Sequence, residues 1–264
     1  MTFLEVYLGG LVALMVVMVV LWVISLVLKD SSIVDPMWGM LFVVAAFTYF
    51  LLAEQGWQTR QWLILALVTI WGVRLSAYLA WRNLGKGEDY RYQEMRANNE
   101  GIWWLRSLFQ VFILQGLIAW VVSISLLAAM WGTSPEAFTI FDVLGVVLWI
   151  IGFFFEAVGD WQMARFKANP ENKGKVLDTG VWRYTRHPNY FGDSAQWWGF
   201  WLIALAAGGW WTVFSPIIMT FLLVRVSGVA LLEKNLKKKD KYSDYIERTS
   251  AFIPMPPKKK SSTG

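Results

Sequence analysis

The sequence has no cysteine, which excludes disulfides, thiolate metal sites and a cysteine nucleophile together. Its single histidine, His187, leaves no multi-histidine metal centre, and no metal site is expected. Charge is also scarce. Asp, Glu, Lys and Arg make up 16% of the residues, against ~25% in an ordinary soluble domain, so neither a disordered chain nor a water-soluble globule fits. No internal repeat is visible, and the one low-complexity stretch is a lysine-rich end. What fills the 264 residues is apolar: 56% are hydrophobic and 18 are Trp. Such a composition belongs in a bilayer.

A helix needs ~20 mostly apolar residues to cross the hydrocarbon core. Seven stretches approach this, at Phe3 to Leu28, Met37 to Leu52, Trp62 to Trp81, Leu108 to Trp131, Phe141 to Val158, Tyr190 to Ala207 and Trp210 to Leu232. The first is too long, and with Glu5 too acidic at its start, for a cleaved signal peptide. With loops alternating sides, 21 of the 24 Lys and Arg fall on one face and only Arg60 on the other, while Arg74 and Arg225 lie inside spans. The expectation is an all-α polytopic membrane helix bundle of about seven transmembrane helices, with its N-terminus outside and its C-terminus cytoplasmic. The expected organisation is one transmembrane domain over 1–254, with a C-terminal half from about 141, and a basic disordered tail over 255–264. The net charge of +5 is explained by topology and anionic lipid, so the bilayer is an expected partner and nucleic acid is not.

Ionisable residues inside a span cost at least ~2.5 kcal/mol each and face the bundle interior. Arg74, Tyr78 and Arg82 recur every four residues on one helix face, as do Glu156 and Asp160, with Lys167 about three turns beyond Glu156. This predicts a polar cavity at one depth; ion pairs that only fix helix packing are the alternative. Asp35-Pro36 suits a helix start, Asp as cap and Pro in the first turn; otherwise Asp35 is a carboxyl near hydrocarbon that stays protonated and donates a hydrogen bond. The run Gly85-Lys86-Gly87-Glu88-Asp89-Tyr90-Arg91-Tyr92 is a solvated loop or the wall of a small anion site. Lys167, Lys173, Lys175, Arg183 and Arg186 arrive just before a helix near Asn189. Cations and a helix N-terminus together suit phosphate, and Trp182, Tyr184 and Tyr190 offer flat surfaces for a ring. A plain connector capped by Asn189 is the competing reading.

The segment Arg183-Tyr184-Thr185-Arg186-His187-Pro188-Asn189-Tyr190-Phe191-Gly192-Asp193 resembles the C-terminal signature of steroid 5-alpha-reductase-like membrane proteins, particularly the DUF1295 branch, and is similar to that of sterol C14-reductases. Asp35-Pro36-Met37-Trp38 and Glu88-Asp89-Tyr90-Arg91-Tyr92 resemble DUF1295 members specifically. The resemblance implies NADPH as cofactor and hydride transfer to a carbon–carbon double bond conjugated with a carbonyl, in a steroid-like or isoprenoid lipid. It implies cofactor contacts at Arg74, Glu156, Asp160, Lys167, Arg183, Tyr184, Arg186, His187, Asn189, Tyr190, Asp193, Tyr245 and Arg248. Donors to the substrate oxygen are expected among Asp35, Tyr78 and Tyr92. The substrate half departs from the steroid 5-alpha-reductase pattern, because Trp71 stands three residues before Arg74 where that family has Tyr.

Two other functions share these features. Isoprenylcysteine carboxyl methyltransferases carry a similar Arg-His-Pro-x-Tyr run and bind S-adenosylmethionine, and a lipid transporter or scaffold could use intramembrane charges. The Asn189-to-Asp193 continuation and the basic excess favour the reductase, and the lack of an inverted repeat disfavours a transporter. A bacterial inner membrane is the expected location, with the endoplasmic reticulum as the alternative.

Overall fold

The computed structural model describes residues 1–226 and 242–258. Among these, secondary structure is helical throughout, apart from one isolated parallel bridge between Thr185 and Ser250. The end of the seventh expected span, Glu233, the lysines from 234 to 241 and the last six residues lie outside the described residues.

Five helices are long and apolar enough to cross a membrane, by length and composition: Phe3–Leu28, Ser31–Leu52, Gln58–Asn83, Trp103–Trp131 and Ile140–Ala168. The other two expected spans correspond to Pro188–Ala206, which carries Asp193, Ser194 and Gln196, and to a shorter apolar helix, Trp210–Val226. The chain divides into two compact units, one of Met1–Thr139 with Ala204–Thr212, the other of Ile140–Ile203 with the described residues from Val213 onward.

In the first unit, α1 (Phe3–Leu28) opens on a reciprocal cap in which Thr2 accepts from the Glu5 amide and Glu5 from that of Thr2. A 3-10 turn, Ser31–Met37, leads into α2 (Trp38–Leu52). The cap expected from Asp35 is absent: Asp30 caps the turn by accepting from Ser32 N, and α2 starts without a side-chain cap. α2 meets α3 (Gln58–Asn83) where Gly39 faces Gly72, and a Cβ on Gly39 would stand 2.5 Å from the Gly72 carbonyl oxygen. That absence of side chain lets two backbones approach without prising the bundle apart. A short helix α4 (Tyr90–Ala97) precedes α5 (Trp103–Trp131), whose Leu108–Ile113 stretch is π-helical. α5 ties back to α1 through stacked Tyr7 and Trp120, 4.3 Å apart, and the Trp120 indole N–H donates to the Tyr7 carbonyl at 2.9 Å.

The second unit is built on α6 (Ile140–Ala168) and α7 (Pro188–Ala206). Gly145, Gly152 and Gly159 lie seven residues apart, two helical turns, on one face of α6. They meet Gly199, Gly192 and Pro188 of α7, and Cβ atoms at Gly145 and Gly152 would lie 2.7 and 2.5 Å from backbone oxygens. The helix that follows, α8 (Phe214–Phe221), turns π-helical over Leu222–Val226, and the last, α9, spans Ser243–Arg248.

Candidate functional site

In the first unit the short turn before α2 and the start of α4 bring four side chains together. Asp89 opens α4 by accepting from the Arg91 amide at 3.0 Å, which aims the Arg91 side chain back along the turn. Arg91 Nε donates to Asp89 at 2.9 Å and Nη2 to Asp35 at 2.8 Å, while the Tyr92 hydroxyl donates to the other Asp35 oxygen at 2.7 Å. Both Asp35 oxygens are therefore held, one by the Arg91 guanidinium and the other by the Tyr92 hydroxyl.

This packing sets the proton affinities on α4. Burial raises the Tyr92 phenol well above its usual value, the Asp35 charge raises it further, and a hydrogen bond with Gln115 works in the opposite sense. Burial tends to lower the Arg91 guanidinium, but its bond to Asp89 and the charge of Asp35 outweigh it, leaving the group above its ordinary value. For Asp89, burial raises the carboxyl and the Arg91 bonds and charge overcome that, holding it below its usual value. Arg74 and Tyr78 sit half-buried one turn apart on α3, and the Arg82 guanidinium lies 6.0 Å from the Tyr78 ring.

In the second unit, the glycine contacts of α6 and α7 bury polar side chains between the two helices. Glu156 is 2% exposed and accepts from Gln196 Nε2 at 2.6 Å. Asp160 is 5% exposed and accepts from Asn189 Nδ2 at 3.3 Å. Asn189 thus reaches across to α6 instead of capping α7. The loop between the helices is pinned from α6: the Trp182 indole donates to the Gly159 carbonyl at 3.1 Å and the Val181 amide to Gln162 at 3.1 Å. Gly180, at φ 61° and against Gln162, makes that turn possible.

The C-terminal segment closes over the Arg183-to-Asn189 run. The Arg186 amide donates to the Ser250 carbonyl at 2.9 Å, and its guanidinium to the carbonyls of Ile246, at 3.0 Å, and Thr249. Thr185 donates to Phe252 at 2.8 Å, and Met255 N to Tyr184 O at 2.9 Å. The Tyr245 hydroxyl donates to the Trp182 carbonyl, and Arg248 pairs with Asp178. Burial, reinforced by neighbouring Tyr242, pushes the Tyr245 phenol well above its ordinary value. His187 and Asp193 are buried and Tyr190 half-buried, with the His187 ring stacked on Tyr190 at 5.8 Å. Lys167, Arg183 and Tyr184 are exposed.

Six of the expected contacts divide into two groups. Arg186, Tyr245 and Arg248 hold the loop and the C-terminal segment together, while Lys167, Arg183 and Tyr184 face outward. Two exposed cations and an exposed aromatic ring are side chains of the kind that suit a phosphate-bearing group with a flat base. Gln196, Gln162, Gln115 and Arg91 join the two sites without having been singled out from the sequence. Only Arg91 carried a signal there, as part of the mixed-charge run.

A family model described as "Protein of unknown function (DUF1295)" matches residues 21–249, and the chain belongs to this family. An uncharacterized protein of Schizosaccharomyces pombe is 28% identical over 266 aligned residues, covering 89% of this chain and 76% of the relative. The 3-oxo-5-alpha-steroid 4-dehydrogenase 1 of Rattus norvegicus is 26% identical over 124 residues, covering 47% of this chain and 43% of the rat protein, so the match spans less than half the length of that enzyme. No solved structure matches significantly. The chain is an integral membrane protein similar to the steroid reductases.

Proposed function

We propose that this member of the DUF1295 family is a membrane-embedded enzyme that uses NADPH to reduce a carbon–carbon double bond conjugated with a carbonyl, in a steroid-like or isoprenoid lipid. The observation that carries this reading is the similarity to the rat 3-oxo-5-alpha-steroid 4-dehydrogenase. The side chains described above suit such chemistry. NADPH, when bound, supplies a hydride; the protein must orient the reactants and stabilise charge on the carbonyl oxygen.

In the second unit, Arg183 and Lys167 compensate cofactor phosphates and the Tyr184 ring, 44% exposed, supports a base. Arg186 acts one step back, since its guanidinium fixes the loop that presents Arg183 and Tyr184. In the first unit, Arg74 adds positive charge on α3. Tyr92 is the donor to the substrate oxygen: its O–H can rotate about the C–O bond from Asp35 to a new acceptor without moving a heavy atom. Asp35 remains compensated by Arg91 at 2.8 Å when it does so. The raised proton affinity of Tyr92 keeps it a neutral donor through the physiological range. Tyr78 is the second candidate donor.

Comparing lipids from cells with and without the protein tests the reading. A product heavier than its precursor by two hydrogens, absent from cells carrying Tyr92→Phe with Asp35→Asn, is the expected outcome. Accumulation of a methylated product instead would point to S-adenosylmethionine chemistry and overturn the reductase reading.

A further inference from the structure

Helix α4 presents two faces. Arg91 engages Asp35 on one side, whereas the 3.6-residue period places Gln93, Arg96 and Ala97 well round the helix from Arg91, with Arg96 one turn beyond Tyr92. There they line a cavity of about 440 Å³ together with Leu26, Glu100 and Trp104, within the ~300–1,000 Å³ of small-ligand sites. The cavity stands where apolar helices end: Leu26 is two residues from the end of α1 and Trp103 opens α5, and both helices are long and apolar enough to cross a membrane. Next to it along the chain, Ile102 and Leu105 are exposed, as befits residues a bilayer covers.

The polar lining is of both signs. Glu88 is already committed, accepting two bonds from Arg96 at 2.8 and 3.1 Å and one from the Ser31 amide at 2.7 Å. These bonds fix Arg96, whose Nη2 also donates to the Lys29 carbonyl at 3.2 Å and whose guanidinium lies 5.8 Å from the Trp103 ring centre. Arg96 Nη1 takes part in none of these bonds. Glu100 is an exposed carboxylate, Trp104 is 53% exposed, and the Trp104 backbone carbonyl accepts from the Trp22 indole at 2.9 Å. With Glu88, Glu100 and Arg96 in the lining, an anion alone would meet two carboxylates, and a cation alone would leave the Arg96 Nη1 donor without an acceptor. A ligand with a phosphate and an ammonium a few bonds apart satisfies both, and an indole face adds attraction for the ammonium.

We propose that this cavity binds the head group of a zwitterionic, amine-bearing phospholipid. Its phosphate sits on Arg96 and its ammonium between Glu100 and the Trp104 ring, with its acyl chains on the bilayer side along α1. The site shares no side chain with the reductase reading, although Arg96 stands one turn from Tyr92 on α4.

The test titrates the full chain in maltoside detergent with dihexanoyl-phosphatidylethanolamine, dihexanoyl-phosphatidylglycerol and sodium phosphate, counting bound molecules by native mass spectrometry. One phosphatidylethanolamine per chain is expected, bound about tenfold more tightly than phosphatidylglycerol and not displaced by phosphate. Glu100→Gln and Trp104→Ala, both at exposed positions, should each bring phosphatidylethanolamine towards the level of phosphatidylglycerol. Equal or tighter binding of phosphatidylglycerol or phosphate, absence of saturable phosphatidylethanolamine binding, or unchanged binding in both variants would overturn the proposal.

Discussion

Replacing Gly152 by Ala probes how the second unit holds its buried carboxylate. The new Cβ would lie 2.5 Å from the Gly192 carbonyl oxygen and 2.8 Å from both Cγ and the amide nitrogen of Gln196. Two of these are backbone atoms that cannot rotate aside, so α7 must move, and overpacking of this kind costs ~1–3 kcal/mol. The same movement stretches the 2.6 Å bond from Gln196 to Glu156, and an unsatisfied buried polar group costs a further ~1–3 kcal/mol. The total of ~2–6 kcal/mol is a large part of a typical folding free energy. Gly159→Ala is the internal control, because its Cβ meets only Pro188 side-chain atoms at 3.0 and 3.3 Å and a backbone nitrogen at 3.4 Å, and it should cost about 1 kcal/mol or less. Unfolding in detergent, followed by Trp emission against added sodium dodecyl sulfate, reads the difference. If Gly152→Ala unfolded at the wild-type midpoint, or if Gly159→Ala were the more damaging change, the close-approach argument would fail.

Three further outcomes follow from the geometry. Tyr245→Phe removes the donor to the buried Trp182 carbonyl and should cost ~1–3 kcal/mol, with faster hydrogen exchange at the Arg186 and Met255 amides, while unchanged exchange there would count against the clasp. Asp89 has a lowered proton affinity in the folded state, so the stability it adds is present at neutral pH and is lost as pH falls through ~4 towards its folded value. Limited proteolysis between residues 83 and 98 should therefore rise on acidification in the wild type and lose most of that pH dependence in Asp89→Asn. Arg183→Ala, at an exposed position, should weaken NADPH binding about tenfold without shifting the thermal midpoint, and an unaltered affinity would remove Arg183 from the proposed site.

The spans were legible because bilayer burial imposes a run of apolar residues that needs no knowledge of neighbours. The helix expected from Phe3 to Leu28 has those same ends. Helices with charged ends were underestimated: the fifth expected span stops at Val158, but α6 continues to Ala168, since Asp160, Arg165 and Lys167 end the apolar run without ending the backbone hydrogen bonding. Partners were harder to foresee. A cap acts over two or three residues and so suggested itself for Asp35, whereas the side chain that holds it, Arg91, lies 56 residues away. Asn189 shows the same limit, its amide reaching Asp160 across 29 residues. Arg186 and Tyr245 illustrate another: a basic or aromatic residue near a phosphate-like loop looks the same in sequence whether its side chain faces a ligand or a backbone carbonyl.

Cofactor identity tests the central claim most directly. Purified protein in detergent is titrated with NADPH and, separately, with S-adenosylmethionine, following quenching of Trp emission. Saturable quenching by NADPH that weakens in Arg183→Ala, with none by S-adenosylmethionine, is the predicted result. Saturation by S-adenosylmethionine and none by NADPH would contradict the reductase account.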